Sequence, residues 1–360
     1  MLISQVPTGA LADVFGRRLA VIAGVVLTGL GFVLEGSIPR FDAIVIGQAL
    51  FGLGATLSDG AEQAWVSEEA GEERAGWIFL RSAQASLVGG LAGSVLSVAL
   101  ASVRLNLAVQ VGGALHLALA AFLLLFMRER RFQRRRAAQR TAWRDLGATM
   151  VAGLHLVRGR PVLVTILLVA LFFGLSSEGF DRLAPAHFLA DFTLPTVWRF
   201  QPVVWFGIFA VVQSLLSLGL TEVVSRHLDM NDQGRLVRWL FMANAGCVVG
   251  VVVFGLAGSF ALAVAAYLFF GACRRVRVPL VTTWLTLNTE ASSRATVISL
   301  SGEVDALGQI AGGPPVGYVG GAVSMRAAMV VVGAILSPVL VLLAWAVQQG
   351  RARVAAEVVK

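Results

Sequence analysis

The chain has 360 residues, 57% of them hydrophobic and only 14% charged, with a net charge of +8 and a mean hydropathy of +0.79. Soluble domains carry nearer 25% charged residues, so the composition excludes a water-soluble globular protein and indicates an all-α polytopic membrane protein. The positive excess does not indicate a nucleic-acid partner, because the arginines gather in loops between apolar runs, as topology signals do.

In chain order, residues 1–9 are apolar but too short to cross a bilayer, which takes about 20 residues. A polar turn follows from Gly9 to Arg18. Apolar segments then occupy 19–38, 43–65, 77–101, 105–127, 162–183, 202–224, 236–257, 260–285, 295–319 and 325–347. Each is long enough to cross a ~30 Å hydrocarbon core as a helix. If the turn at 9–18 is cytoplasmic, 21 of the 29 basic residues fall on the cytoplasmic side against 5 on the other and 3 within a span, and the opposite orientation reverses that bias. The C-terminus is then cytoplasmic as well, and the expected location is the plasma or inner membrane.

The basic segment 128–160 divides the spans. Its second part sets Trp143, Leu146, Met150, Val151, Leu154 and Val157 at helical spacing, which predicts an amphipathic helix on the inner membrane surface. The expected organisation is an N-terminal bundle over 1–127, a linker over 128–160, a C-terminal bundle over 161–347 and a tail over 348–360. The two cysteines, Cys247 and Cys273, fall inside spans and read as small apolar fillers.

The turn itself carries a motif. Gly9, Leu11, Ala12, Asp13, Gly16, Arg17 and Arg18 resemble the loop signature of major facilitator superfamily transporters, found between their second and third spans. Val14 stands where that family often has a basic residue. Gln48-Ala49-Leu50-Phe51-Gly52-Leu53-Gly54-Ala55 resembles the family's fourth-span motif, with Gln48 in place of its arginine. That arginine is implicated in proton movement in proton-driven members, so proton coupling does not carry over directly. The resemblance extends to multidrug and tetracycline-type efflux members, whose fifth span tends to carry a glycine-proline motif. Here the corresponding span has Gly89, Gly90 and Gly93 without proline, and the stronger run, Gly312-Gly313-Pro314-Pro315, falls in the penultimate span. That run reads equally as a hinge or as close helix packing.

An internal repeat supports the resemblance. Trp65 to Ile78 and Trp284 to Ile298 share a pattern at an offset of about 220 residues. The family fold implied is two six-helix bundles related as parallel repeats. Applied to the span at 162–183, the offset places a partner before Met1. The expectation is therefore an N-terminally truncated chain lacking the first span and the outer half of the second.

Charges inside spans cost several kcal/mol unless paired or wet, so they mark candidate sites. Asp59 and Glu62 lie three apart near the inner end of 43–65, and Arg274 and Arg277 lie three apart within 260–285. Depths along the helices, roughly 24 Å for Asp59 and 21 Å for Arg274 at ~1.5 Å per residue, place these groups opposite each other across a central cavity. Glu178, Asp181 and Arg182 share a face close to the outer end of 162–183, out of reach of those arginines. For Glu62 and Arg182 a snorkelling end residue or static pair is the preferred reading. For Asp59, Arg274 and Arg277 it is substrate binding or proton coupling. Glu303 and Asp305 are candidates for a cytoplasmic gate.

No metal-ligand spacing links the histidines, and no phosphate-cradling loop is present, so no metal, cofactor or direct use of ATP is expected. The expected function is transport by alternating access in a monomer, without enzyme activity. The resemblance favours efflux of amphipathic small molecules by proton antiport. The alternatives are proton-coupled uptake of a small anionic solute and a truncated protein that transports nothing.

Overall fold

In a bilayer the backbone has no water to bond, so long apolar stretches must satisfy their own amides as helices. The computed structural model describes residues 16–129, 157, 159–195, 204–227, 233–290 and 294–358, and every described element is a helix. In chain order these are α1 (Arg17–Ser37), α2 (Phe41–Ala70), α3 (Glu72–Val103), α4 (Leu105–Phe126), α5 (Pro161–Asp191), α6 (Val204–His227), α7 (Gln233–Leu256), α8 (Phe260–Leu287), α9 (Arg294–Ala322), α10 (Met325–Leu336) and α11 (Pro338–Val358). The amphipathic helix expected over 143–157 lies, apart from Val157, outside the described residues.

Each expected span has its helix, but the helices run past the apolar runs that announce them. α5 continues to Asp191, α2 to Ala70 and α8 to Leu287. Among the described residues, eight stretches are long and apolar enough to cross a membrane, with α10 and α11 counted together over Met325–Gln348. α8 and α9 are not among them, which corrects the reading of 260–285 and 295–319 as simple apolar spans. All three of Arg274, Arg275 and Arg277 fall in every 18-residue stretch of α8, so its polarity has to be satisfied by protein. The junction of α10 and α11 is at Ser337, whose amide still bonds back to Gly333 and Ala334 before Pro338 interrupts the ladder.

The described helices fall into two units. The first holds α1–α4. Its packing is led by α1, which lies against α2 and α4. Glycine makes those contacts close: Gly24 and Gly31 meet the backbone of Gly54 and Gly47, and Gly29 meets that of Gly113. The glycines of the fourth-span motif therefore divide, with Gly54 at a helix contact and Gly52 in open space.

The second unit holds α5, α6 from Ile208 onward, and α7–α11. α5 is central, packed on α9, α10 and α11, while α7 packs on α8 and α10. A cluster of Phe180, Phe188, Phe209, Phe254 and Tyr267 fills the space between α5, α6, α7 and α8, with Phe188 and Phe254 wholly buried. Tilted and edge-on rings of this kind add modestly to plain burial. The α5–α9 contact is very close. The space for a side chain at Gly312 is taken by Leu175, and at Gly174 by the backbone of Asp305. α9 runs as one helix through Gly312, Gly313, Pro314 and Pro315.

Candidate functional site

The second unit contains a cavity of about 320 Å³ lined by Phe180, Asp181, Gln213, Tyr267, Phe270, Gly271, Arg274, Arg275 and Val278. Gly271 is needed there, because the Gln213 amide fills the place of a side chain. Arg274 donates two parallel hydrogen bonds to Asp181, Nη1 to Oδ1 at 2.5 Å and Nη2 to Oδ2 at 2.8 Å. A bidentate guanidinium–carboxylate pair is among the stronger polar contacts a protein makes.

This corrects the expectation that Asp181 cannot reach Arg274. The error lay in the helix end. The run of Glu178, Asp181 and Arg182 reads as the close of a span, yet α5 continues through Pro185 to Asp191. Asp181 is thus well inside the helix, at a level α8 can meet. Arg274 and Arg277 also find their surroundings within the second unit, on α5 and α9. Asp59 belongs to α2, but its side chain lies outside the described residues, and Glu62 is exposed on α2.

Arg277 sits one turn along α8 from Arg274. Its guanidinium lies 3.4 Å from the centre of the Phe173 ring, with Arg274 at 5.4 Å from the same ring. Arg277 is 6% exposed, and its Nε has no hydrogen-bond partner among the described residues. Buried charge is costly and is normally paired; the ring face supplies part of the compensation. Asp305 on α9 is within electrostatic reach of both arginines and accepts a bond from Gln309 at 2.8 Å. Glu303, the other gate candidate, accepts a long bond from Ser299. Glu178 and Arg182 pair with each other at 2.8 Å across one turn, with Arg182 largely exposed. Such a surface pair contributes little. Glu178 also packs against the open face of Gly313.

One polar centre has no counterpart in the sequence reading. His187 is fully buried. Its Nδ1 lies 2.7 Å from Asp191 Oδ2 and its Nε2 3.1 Å from the carbonyl oxygen of Phe254. Arg326 at the start of α10 donates to the other oxygen of Asp191 at 3.3 Å. The group ties α5, α7 and α10 together. The signal was His187 and Asp191 one turn apart, and it carried no weight without knowledge of the two distant partners.

Gly9, Leu11, Ala12 and Asp13 of the loop motif lie outside the described residues; Gly16, Arg17 and Arg18 belong to a compact network in the first unit. Gly16 has φ of 106°, a region open mainly to glycine. The Glu129 carboxylate accepts from the backbone amides of Arg17 at 2.7 Å and Arg18 at 3.3 Å, capping the start of α1. Arg17 pairs with Glu68 near the end of α2, Arg18 donates to the Leu124 carbonyl on α4, and Trp65 donates to the Arg128 carbonyl.

A sequence profile of the Major Facilitator Superfamily matches residues 1–300. An uncharacterized MFS-type transporter of Bacillus subtilis (strain 168), YxaM, is 22% identical over 338 residues, which is 93% of this chain and 81% of that protein. A POT family transporter solved in complex with 5-aminolevulinic acid superposes with a TM-score of 0.69 at 12% identity, over 97% of this chain and 85% of its own. A bacterial homolog of the human lysosomal transporter Spinster, solved inward-facing and unoccupied, superposes at 0.70 with 14% identity, over 96% and 86%. These likenesses show the fold, and the profile match shows the family: this chain belongs to the Major Facilitator Superfamily of multi-pass membrane transporters.

Proposed function

We propose that the protein moves a small amphipathic solute bearing an anionic group by alternating access, coupled to protons, with the Arg274–Asp181 pair as the element that is made and broken. The observation that carries this reading is the bidentate pair in the wall of a cavity, beside a second, buried arginine whose Nε has no hydrogen-bond partner among the described residues. When Asp181 accepts a proton, Arg274 loses its counter-ion and becomes available to a carboxylate or phosphate. Proton and anion then bind together, which is the linkage of a symporter. The complex of the POT family neighbour with 5-aminolevulinic acid, an amino acid with a carboxylate, is in keeping with such a solute. Gly312, Gly313, Pro314 and Pro315 would give α9 its flexing point during the cycle. The protein would act as a monomer in the plasma or inner membrane, with its C-terminus in the cytoplasm.

A second reading, efflux by proton antiport, is favoured by the aromatic lining of Phe180, Tyr267 and Phe270. An amphipathic cation could stack there and compete with the proton for Asp181, so that one leaves as the other enters. Proteoliposomes with an imposed pH gradient separate the two. In the symport scheme, labelled anionic solutes accumulate with the proton gradient. Asp181→Asn keeps solute exchange but loses acceleration by the gradient, and Arg274→Ala lowers transport at least about tenfold, as expected when a charge-assisted contact worth ~1.4 kcal/mol or more is removed. Unchanged gradient dependence in Asp181→Asn together with unchanged rate in Arg274→Ala would rule out this site.

A further inference from the structure

The hydrogen bonds around His187 fix a number of protons. The ring is wholly buried, so both of its nitrogens have to be satisfied by protein. Nε2 lies 3.1 Å from the carbonyl oxygen of Phe254, in the last turn of α7. Carbonyls at a helix end lack their usual partner, and this one also accepts a long bond from the Ala257 amide at 3.4 Å. A carbonyl oxygen can only accept, so Nε2 carries a hydrogen and donates it. A neutral imidazole has a single N–H. With that hydrogen on Nε2, Nδ1 is a bare lone pair, and it lies 2.7 Å from Oδ2 of Asp191. A lone pair and a carboxylate oxygen repel at that distance, so a further proton lies between them. The other tautomer moves the conflict without removing it: Nδ1 then donates to Asp191, and a bare Nε2 faces the Phe254 carbonyl. Both contacts form together when the pair holds one proton more than a neutral ring and a carboxylate.

That proton belongs on Nδ1, because the carboxylate of Asp191 then accepts charge-assisted bonds at both oxygens, from the imidazolium and from Nε of Arg326 at 3.3 Å. The ring has no contact with water, whereas Asp191 is 24% exposed and Arg326 41%. The carboxylate is therefore the way in and out for the proton. The other helices around the pair bring no competing charge to it. α7 has no charged residue from Trp239 to Leu256, α6 none from Val204 to Thr221, α8 none from Phe260 to Cys273, α9 none after Asp305 and α11 none before Arg351. Tyr267 of α8 is the titratable group in the aromatic cluster that adjoins His187 through Phe188 and Phe254. On α5 itself, Asp181 and Arg182 are engaged with Arg274 and Glu178.

We propose that His187 and Asp191 form a proton-binding site whose proton holds the end of α5 against α7. When the proton leaves, one of the two bonds at the ring is lost: either the tie to the Phe254 carbonyl goes, or Asp191 parts from the ring and stays with Arg326. The site is ten residues along α5 from Asp181, about 15 Å at ~1.5 Å per residue, so it is separate from the cavity of the Arg274–Asp181 pair. Protonation stabilises the observed arrangement, and raising the pH through the range in which the site gives up its proton loosens it.

The test uses the full chain with isotope-labelled histidine, purified in detergent and taken from about pH 5 to about pH 9, across the range in which histidines change charge. The charge state of the ring is read by nitrogen NMR. The His187 signals are assigned by their loss in His187→Gln or, should that variant not fold, by elimination with His116→Gln, His155→Gln and His227→Gln. At the acid end both ring nitrogens should carry hydrogen, and as the pH rises one should lose it. Over the same range the thermal unfolding midpoint should fall by about 2 °C or more relative to Asp191→Asn, the shift expected for one lost hydrogen bond. Asp191→Asn separates a proton site from a static pair, because its amide N–H can donate to a bare Nδ1. A neutral ring then satisfies both contacts, by a weaker bond, and the midpoint of this variant should not follow the His187 proton. The proposal fails if the ring keeps one charge state at every pH, or if the gap between the two midpoints stays constant while the ring titrates. The NMR reading is made on the unaltered protein and stands if Asp191→Asn does not fold. Neither readout requires transport, so the outcome is independent of the role given to Arg274 and Asp181.

Discussion

The first unit packs α1 on α2 and α4, and the second packs α7 on α8 and α10. α2 starts at Phe41 and α8 at Phe260, so these are corresponding helices at the offset seen in the internal repeat. The two units differ in how they treat the next helix. On α9, Gly308 and Gly312 are pressed against the backbone of α5 at Leu171 and Leu175. At the matching places on α3, Gly89 and Gly93 have nothing within 4 Å. A small-residue stripe is therefore a contact only when a partner lies on it, and the same spacing is structural in one unit and idle in the described part of the other. The interiors differ too. Among the described residues, the buried polar side chains of the first unit are Thr28 and Thr56, whereas the second buries His187, Gln213, Asn244 and Arg277. Polar chemistry has been concentrated in the unit whose helices are best covered.

The strongest way to break this comparison is to add one methyl group to each stripe. Gly312→Ala should cost about 3 kcal/mol or more through overpacking against Leu175, with much less folded protein surviving heating and size-exclusion chromatography. Gly93→Ala should fall within about 0.5 kcal/mol of the unaltered protein. Equal losses in the two variants would show that the stripes are equivalent after all. Next in size is His187→Ala. It leaves the Phe254 carbonyl without its ring partner, takes from Asp191 one of its two partners while Arg326 remains, and should cost about 2 kcal/mol. A double-mutant cycle with Asp191→Asn should show a coupling of at least about 0.5 kcal/mol, and independent effects would dissolve the proposed tie between α5, α7 and α10. The smallest effect belongs to the first unit. Gln48→Ala removes one half-buried hydrogen bond, from Gln48 Nε2 to Glu35 at 2.9 Å, and should cost about 0.5–1 kcal/mol. A larger loss would mean that the first unit, too, relies on an interior polar contact.

Hydropathy made the ten helical segments legible, because a bilayer allows few structures other than helices. It could not place their ends. Helices that leave the hydrocarbon continue through polar residues, and α5 does so through Asp181, Arg182, Pro185 and His187. That single misjudged end hid the Arg274–Asp181 pair. Arg274 and Arg277 were legible as site candidates, because intramembrane arginines are rare and costly. Gly16, Arg17 and Arg18 were legible as a motif, but Glu129, the acceptor that explains the geometry, was not, since nothing in a sequence announces a cap drawn from a hundred residues away.

Glu129 also sets a schedule. The amides at the start of α1 wait for a residue 112 positions further along. At roughly 5–20 residues per second of synthesis, that interval is on the order of 6–20 seconds. The first described helix thus lacks its bonds to Glu129 while three more are made. The contact that joins the start of α1 to the segment after α4 is therefore among the last in this unit whose two partners are both made.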